Sequence, residues 1–388
     1  MVNLSKELIG ELQILTSALL FGFAFVGSRQ ATTDPAGPFT FNAWRFALSS
    51  LIIYVFRTPL KSLLQSDINS KNAEKEPEDV AIMMRVKALF PNSLSEKTFD
   101  LYFWGIMCGF ANFSLTTFIQ YGLLTVPAGK AAFINGLFVV VTPFAELLLP
   151  GAKYHISYKI WISVCLSAVG TYFLSGAQSI SIGWGEILLL CGTFATVANI
   201  LAADAGSKRV DCVDLTVVEF TTSFILSSIP SLILESQMWA YPFTAFRTGW
   251  KMILFVAVVE GGAFLISTVG QMYSTSSARS ALIFSLEAVF TVILGYLILG
   301  ESLTRWEIFG CTLMFIATVI SSGTLDEGAS EVIDSEAEQK LYLEDGMVDD
   351  ARTENDDVVK MSTSQTPLVS GSNSGASNKI NSYGTNNK

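Results

Sequence analysis

Histidine is almost missing from this 388-residue chain: His155 is the only one. A single imidazole gives no Ser/His nucleophile pair and no histidine-based metal site, and no pair of Asp residues falls at matching depth in the apolar segments, so hydrolytic and metal chemistry lack their parts. The five cysteines form neither an even framework nor a CxxC spacing, which excludes a disulfide scaffold and a zinc site. No GxxxxGK[ST] stretch occurs, which removes an ATP-driven pump of the P-loop kind. Charge is scarce as well. Only 15% of residues are charged, against about 25% in soluble domains. No cofactor, metal or nucleic-acid partner is expected, and the chain is not expected to be an enzyme.

What the chain has instead is apolar material: 51% hydrophobic residues and a mean hydropathy of +0.47. It comes in blocks of about 18–22 residues, the length at which a helix crosses ~30 Å of hydrocarbon. Ten blocks are predicted to span a bilayer: 12–29, 38–56, 101–121, 128–149, 157–176, 185–204, 214–234, 250–270, 278–299 and 304–322. The first reads as a retained signal anchor, with no cleavable leader expected. A charged connector, about 57–100, separates the second and third blocks. Its stretch "VAIMMRVKALF" (80–90) reads either as a basic amphipathic segment on an anionic membrane face or as a plain solvated connector. Between Asp326 and Asp357 roughly thirteen acidic residues face two basic ones, Lys340 and Arg352, and a Ser/Asn/Gly-rich stretch follows. Residues 324–388 are therefore predicted to be a disordered acidic tail.

With the N-terminus in the cytosol, Lys6, Arg57, Lys61, Lys71, Lys75, Arg85, Lys87, Lys97, Lys153, Lys159, Lys208, Arg209 and Arg279 fall on the cytosolic side. Arg29, Lys130, Arg247, Lys251 and Arg305 fall on the other. The excess fits the positive-inside rule and predicts cytosolic termini. It does not separate plasma from internal membranes.

The sequence also repeats. Offset by 149 positions, "AGKAAFINGLFVVVTPFAELLLPG" (128–151) lies on "SARSALIFSLEAVFTVILGYLILG" (277–300), so that Lys130 meets Arg279 and Thr142 meets Thr291. Offset by 175, "GELQILTSALLF" (10–21) lies on "GEILLLCGTFAT" (185–196); offset by 174, "AWRF" (43–46) lies weakly on "VVEF" (217–220). Two copies of a five-helix unit, 8–176 and 185–323, follow. Five is odd, so the copies must be inverted across the membrane, as in many transporters that hold substrate between their halves.

The segment "SARSALIFSLEAVFTVILGYLILGESLTRWEIFG" resembles the last-repeat signature of EamA-type transporters of the drug/metabolite transporter superfamily, and "TVPAGKAAFINGLFVVVTP" resembles its first-repeat counterpart. The resemblance covers about 8–323 apart from the connector. It implies a ten-helix bundle with cytosolic termini and exchange of substrate through a central cavity. The chain departs from the pattern at Glu287-Ala288, where the family has Glu-Pro, and at Gly151-Ala152, where it has Gly-Glu.

Polar residues inside the blocks are the candidate site. Glu260 lies fourteen positions before Ser274 and Glu287 thirteen after it. In an antiparallel hairpin rising ~1.5 Å per residue both reach one depth near the midplane. Intramembrane acids mark binding or proton-coupling groups, so this pair either shares an exchangeable proton and binds or couples, or else serves packing. Ser267 and Gln271 continue the line of Glu260 at helical spacing. Asn112 and Gln120 line the third block, Asn135 the fourth and Asn199 the sixth; they read as substrate contacts or as interhelical hydrogen bonds. Arg45 is expected to snorkel or to receive a substrate carboxylate, and not to pair with Glu219, its repeat equivalent. With several acids and one deep base, the expected substrate is an amino acid, an amine or a similar zwitterionic or neutral solute, with protons as the candidate coupling ion. A nucleotide-sugar or organic-phosphate exchanger stays open, as does a channel, lipid scramblase or sensor. Oligomeric state is left undetermined.

Overall fold

A computed structural model describes residues 6–31, 37–68, 95–126, 128–148, 157–175, 183–235, 242–300 and 302–322. The chain divides into Met1–Leu325 and Asp326–Lys388, and the second unit lies outside the described residues. So do the 80–90 stretch, His155 and Gly151-Ala152.

Among the described residues all regular structure is helical. The helices are α1 (Lys6–Ala31), α2 (Pro38–Val55), α3 (Arg57–Ile68), α4 (Glu96–Leu123), α5 (Ala128–Gly136), α6 (Phe138–Leu148) and α7 (Tyr158–Leu174). The later ones are α8 (Trp184–Ser207), α9 (Cys212–Leu234), α10 (Pro242–Tyr273), α11 (Ser277–Phe284), α12 (Leu286–Leu294) and α13 (Arg305–Ser322). By length and composition six stretches are long and apolar enough to cross a bilayer: 6–27, 130–148, 184–207, 212–234, 250–273 and 277–298.

Helix starts follow local chemistry. Asp211 caps α9 by accepting from the amides of Val213 and Asp214 at 3.0 and 3.1 Å. Thr304 and Glu307 exchange bonds at the start of α13. Both satisfy donors that have no partner inside the helix.

The connector is helical at both ends: α3 forms its first residues, and α4 begins inside it at Glu96. The fourth and ninth blocks stand as spanning stretches, 130–148 and 277–298, each with a one-residue interruption of the helix. The fourth breaks at Leu137, after Gly136, a residue that weakens helix interiors. The ninth breaks at Ser285, whose Oγ donates to Leu282 O at 2.7 Å, and it ends in a π-turn over Gly295–Leu299. Hydropathy does not register such breaks, because the apolar run continues through them.

Polarity runs inside out. Phe110, Trp184, Ile233 and Leu297 are more than half exposed, whereas Asn112, Ser163, Ser167, Ser223 and Glu219 are buried. In lipid that is the favourable arrangement, since polar groups must find partners within the protein. α1 packs on α10, α4 on α8, α2 on α9, and α7 on α13. Two of these contacts are backbone-close. A Cβ on Gly10 would lie 2.8 Å from Gly270 O, and one on Gly122 would lie 3.1 Å from Gly185 O. Between the halves the rings of Phe46 and Phe220 stack with centroids 5.7 Å apart.

Candidate functional site

The buried polar residues on α2, α4, α8, α9 and α10 supply the candidate site. Arg45 on α2 is 5% exposed and Glu260 on α10 is 8% exposed; Arg45 Nη1 donates to Glu260 Oε2 at 2.7 Å. Arg45 therefore does not snorkel. Its carboxylate partner is Glu260 and not Glu219, and the guanidinium also lies 4.6 Å from the centre of the Phe46 ring, a geometry that adds a cation–π attraction. Ser49, one turn on, donates to Ala257 O at 2.8 Å and locks the register of α2 on α10. Glu260 spends one oxygen on Arg45. Glu260 is thus paired with Arg45, a partner that the hairpin argument did not include. The hairpin argument could not see α2, which is far away in sequence.

The other candidates fall into separate contacts. Gln120 and Asn42 exchange two amide bonds of 2.9 and 3.0 Å. Asn135 Oδ1 accepts from Thr196 at 3.4 Å, and Gln271 Nε2 donates to Ile200 O at 3.2 Å. Asn199 Nδ2 donates to Glu219 Oε1 at 3.0 Å and to Cys108 O at 3.2 Å. Asn112 is fully buried, and neither amide atom has a hydrogen-bond partner. Glu219, 1% exposed, is the functional candidate the sequence reading passed over. Its signal was its place opposite Arg45 in the weak "AWRF"/"VVEF" alignment. A cavity of about 220 Å³ opens between α2 and α10, bounded by Ser49, Ile53, Ala257, Gly261, Gly262 and Leu265 and almost wholly apolar.

Charged side chains also tie helix ends together. Lys130 Nζ meets Glu186 Oε1 at 2.6 Å, and Arg279 Nη1 meets Glu11 Oε1 at 3.6 Å. Lys61 Nζ meets Asp214 Oδ2 at 2.5 Å, while Glu235 accepts from Thr40 N and Oγ1 at 2.8 and 2.7 Å. Glu146 accepts from Ser276 Oγ and from the amides of Ser277 and Ala278 at the start of α11.

Long apolar helices with lipid-facing hydrophobes and an inward polar belt define an integral, multi-pass membrane protein. The chain belongs to the EamA-like transporter family, whose model matches residues 8–176 and 183–323. It is a transporter and not an enzyme. Among curated relatives it is 27% identical to an uncharacterized transporter of Archaeoglobus fulgidus over 325 residues, 82% of this chain and 87% of that one. It is 24% identical to an uncharacterized transporter of Synechocystis over 229 residues, 58% and 68% of the two chains. A solved crystal structure at 14% identity superposes with a TM-score of 0.58, over 81% of this chain and 98% of the other, which speaks to the fold alone.

Proposed function

We propose that the chain is a secondary transporter built of ten membrane-crossing helical segments in two inverted repeats, 8–176 and 185–323, with cytosolic termini. It moves an amino acid, an amine or a similar zwitterionic or neutral solute by alternating access, coupled to protons. The observation that carries the reading is that contacts recur at repeat-equivalent positions. The offsets that align the sequence, 149 and 175, turn Lys130–Glu186 into Arg279–Glu11. The offset of 174 turns Thr40–Glu235 into Asp214–Lys61, with the signs of charge changed, and Gly185 against Gly122 answers Gly10 against Gly270. Phe46 and Phe220, also 174 apart, stack on each other, as residues flanking a pseudo-two-fold axis do. Inverted copies place matching clasps at opposite membrane faces. Opening one set while keeping the other is what alternating access requires.

Charge favours the substrate class. Among the described residues the guanidinium in the middle of a helix, Arg45, is already held by Glu260 and the other buried one, Arg279, faces Glu11, leaving little fixed positive charge for a phosphate or a nucleotide sugar. The test is a panel of solutes on reconstituted protein, with and without a proton gradient. Saturable counterflow of an amino acid or amine that responds to the gradient is expected. Exchange confined to phosphorylated solutes would overturn the substrate class, and non-saturating flux would overturn the carrier.

A further inference from the structure

Repeat equivalence reaches into the polar belt. Ser49 Oγ donates to Ala257 O at 2.8 Å, and Ser223 Oγ donates to Gly109 O at 3.0 Å. Ser49 and Ser223 are 174 apart; Gly109 and Ala257 are 148 apart, as are Gly122 and Gly270. The crossing of α9 with α4 therefore repeats the crossing of α2 with α10. The same offsets carry Arg45 to Glu219 and Glu260 to Asn112. Where one crossing holds a guanidinium on a carboxylate, the other carries a carboxylate and an amide at the equivalent positions.

That amide is unsatisfied. Asn112 is 0% exposed, and both its Oδ1 and Nδ2 lack partners. It stands one turn beyond Cys108, whose carbonyl receives Asn199, and a Cβ on the neighbouring Gly109 would lie 2.6 Å from the backbone carbonyl of Glu219. Glu219 is held by Asn199 alone through Oε1, and Asn199 has no counterpart in the first repeat, where position 24 is Ala24. A buried amide without partners costs free energy unless something completes it.

We infer that Glu219, Asn112 and Asn199 form a proton-binding site in which Asn112 turns its amide to partner Glu219 in both protonation states. With Glu219 ionised, Asn112 Nδ2–H donates to Oε2. Uptake of one proton on Oε2 gives the neutral acid, whose O–H then donates to Asn112 Oδ1, while Oε1 keeps the bond from Asn199. No bond other than O–H forms or breaks, and release of the proton reverses the step. Among the described residues the buried charged and titratable groups in the middle of the helices packed against α9 are Arg45 on α2, Cys108 on α4 and Glu260 on α10. Arg45 and Glu260 engage each other, α8 contributes the neutral Asn199, and Lys61 on α3 is held at the helix end by Asp214. The proposal rests on the transporter reading only for the use to which the proton is put.

The test uses the full-length protein in lipid nanodiscs and no transported solute, so failure of the transport panel leaves it intact. Infrared difference spectra are recorded across pH on protein labelled with carbon-13 at the asparagine side-chain carbonyl. A carboxyl C=O band that titrates together with a labelled amide band is expected, and both are lost in Glu219→Gln. In Asn112→Leu the carboxyl midpoint moves by more than about one pH unit. If Asn112→Leu does not fold, joint loss of the two bands in Glu219→Gln decides the matter. A carboxyl band that survives Glu219→Gln, a labelled amide that does not titrate with it, or a midpoint that follows sodium concentration overturns the proposal.

Discussion

Replacing Glu260 by Gln tests the Arg45–Glu260 pair most directly. Both side chains are about nine-tenths buried and the N–O distance is 2.7 Å, so Arg45 would be left as a buried cation with no anionic partner. Breaking a buried pair from one side costs about 3–5 kcal/mol. Gln retains an oxygen that accepts from Arg45, which returns about 0.5–1.5 kcal/mol, and the Phe46 ring is unaffected. The expected destabilisation is about 1.5–4.5 kcal/mol by that difference. Removing both charges in Arg45→Met/Glu260→Leu should restore most of it, since two desolvated ions then disappear together. Reversible unfolding in mixed micelles, run as a double-mutant cycle, measures both quantities. A Glu260→Gln protein within about 0.5 kcal/mol of the parent, or a coupling energy near zero, refutes the pair as a structural element.

Gly270→Ala should destabilise strongly, because the new Cβ would sit 2.7 Å from Ile14 Cγ1 and 2.8 Å from Gly10 O, whereas Gly262→Ala meets nothing within 4 Å and should stabilise by about 0.5–1 kcal/mol; thermal unfolding of the two variants separates them. Lys130→Met strips a partner from a pair whose side chains are 9% and 13% exposed and should destabilise more than loss of a more exposed pair. Lys61→Ala acts on a pair 27% exposed on each side and should cost about 0–1 kcal/mol, with the same unfolding assay as the readout. Cysteines introduced near Lys71 and Ser372 should react with an impermeant maleimide only from the cytosolic side, and one near Tyr241 only from the opposite side; the reverse pattern would overturn the assigned orientation.

Much of the fold was legible because lipid imposes a simple rule. Backbone groups in hydrocarbon must pair within their own segment, so a run such as 185–204 has to be helical whatever surrounds it, and α8 covers it. The breaks at Leu137 and Ser285 were not legible, because a hydropathy window averages over single residues and carries no hydrogen-bond information. Among site residues, periodicity picked Glu260, Asn112 and Asn199 as inward-facing, since one polar face recurs every three or four positions. It could not choose their partners. Arg45 and Glu260 are separated by 215 positions, and only helix packing brings them together.

The sequence by itself determined the solvent, the helical class and the family, because each follows from local composition or from a motif contained in one segment. It also held the offsets that relate the two halves. Tertiary structure alone decided how the charges are distributed: Arg45 goes to Glu260, Asn199 draws Glu219 towards α8, and Asn112 is left without a partner. The physical reason is range. Periodicity fixes which face of a helix is polar, whereas the pairing of buried polar groups depends on distances of about 3 Å between helices, set by close contacts such as Gly10 with Gly270 that no single segment specifies.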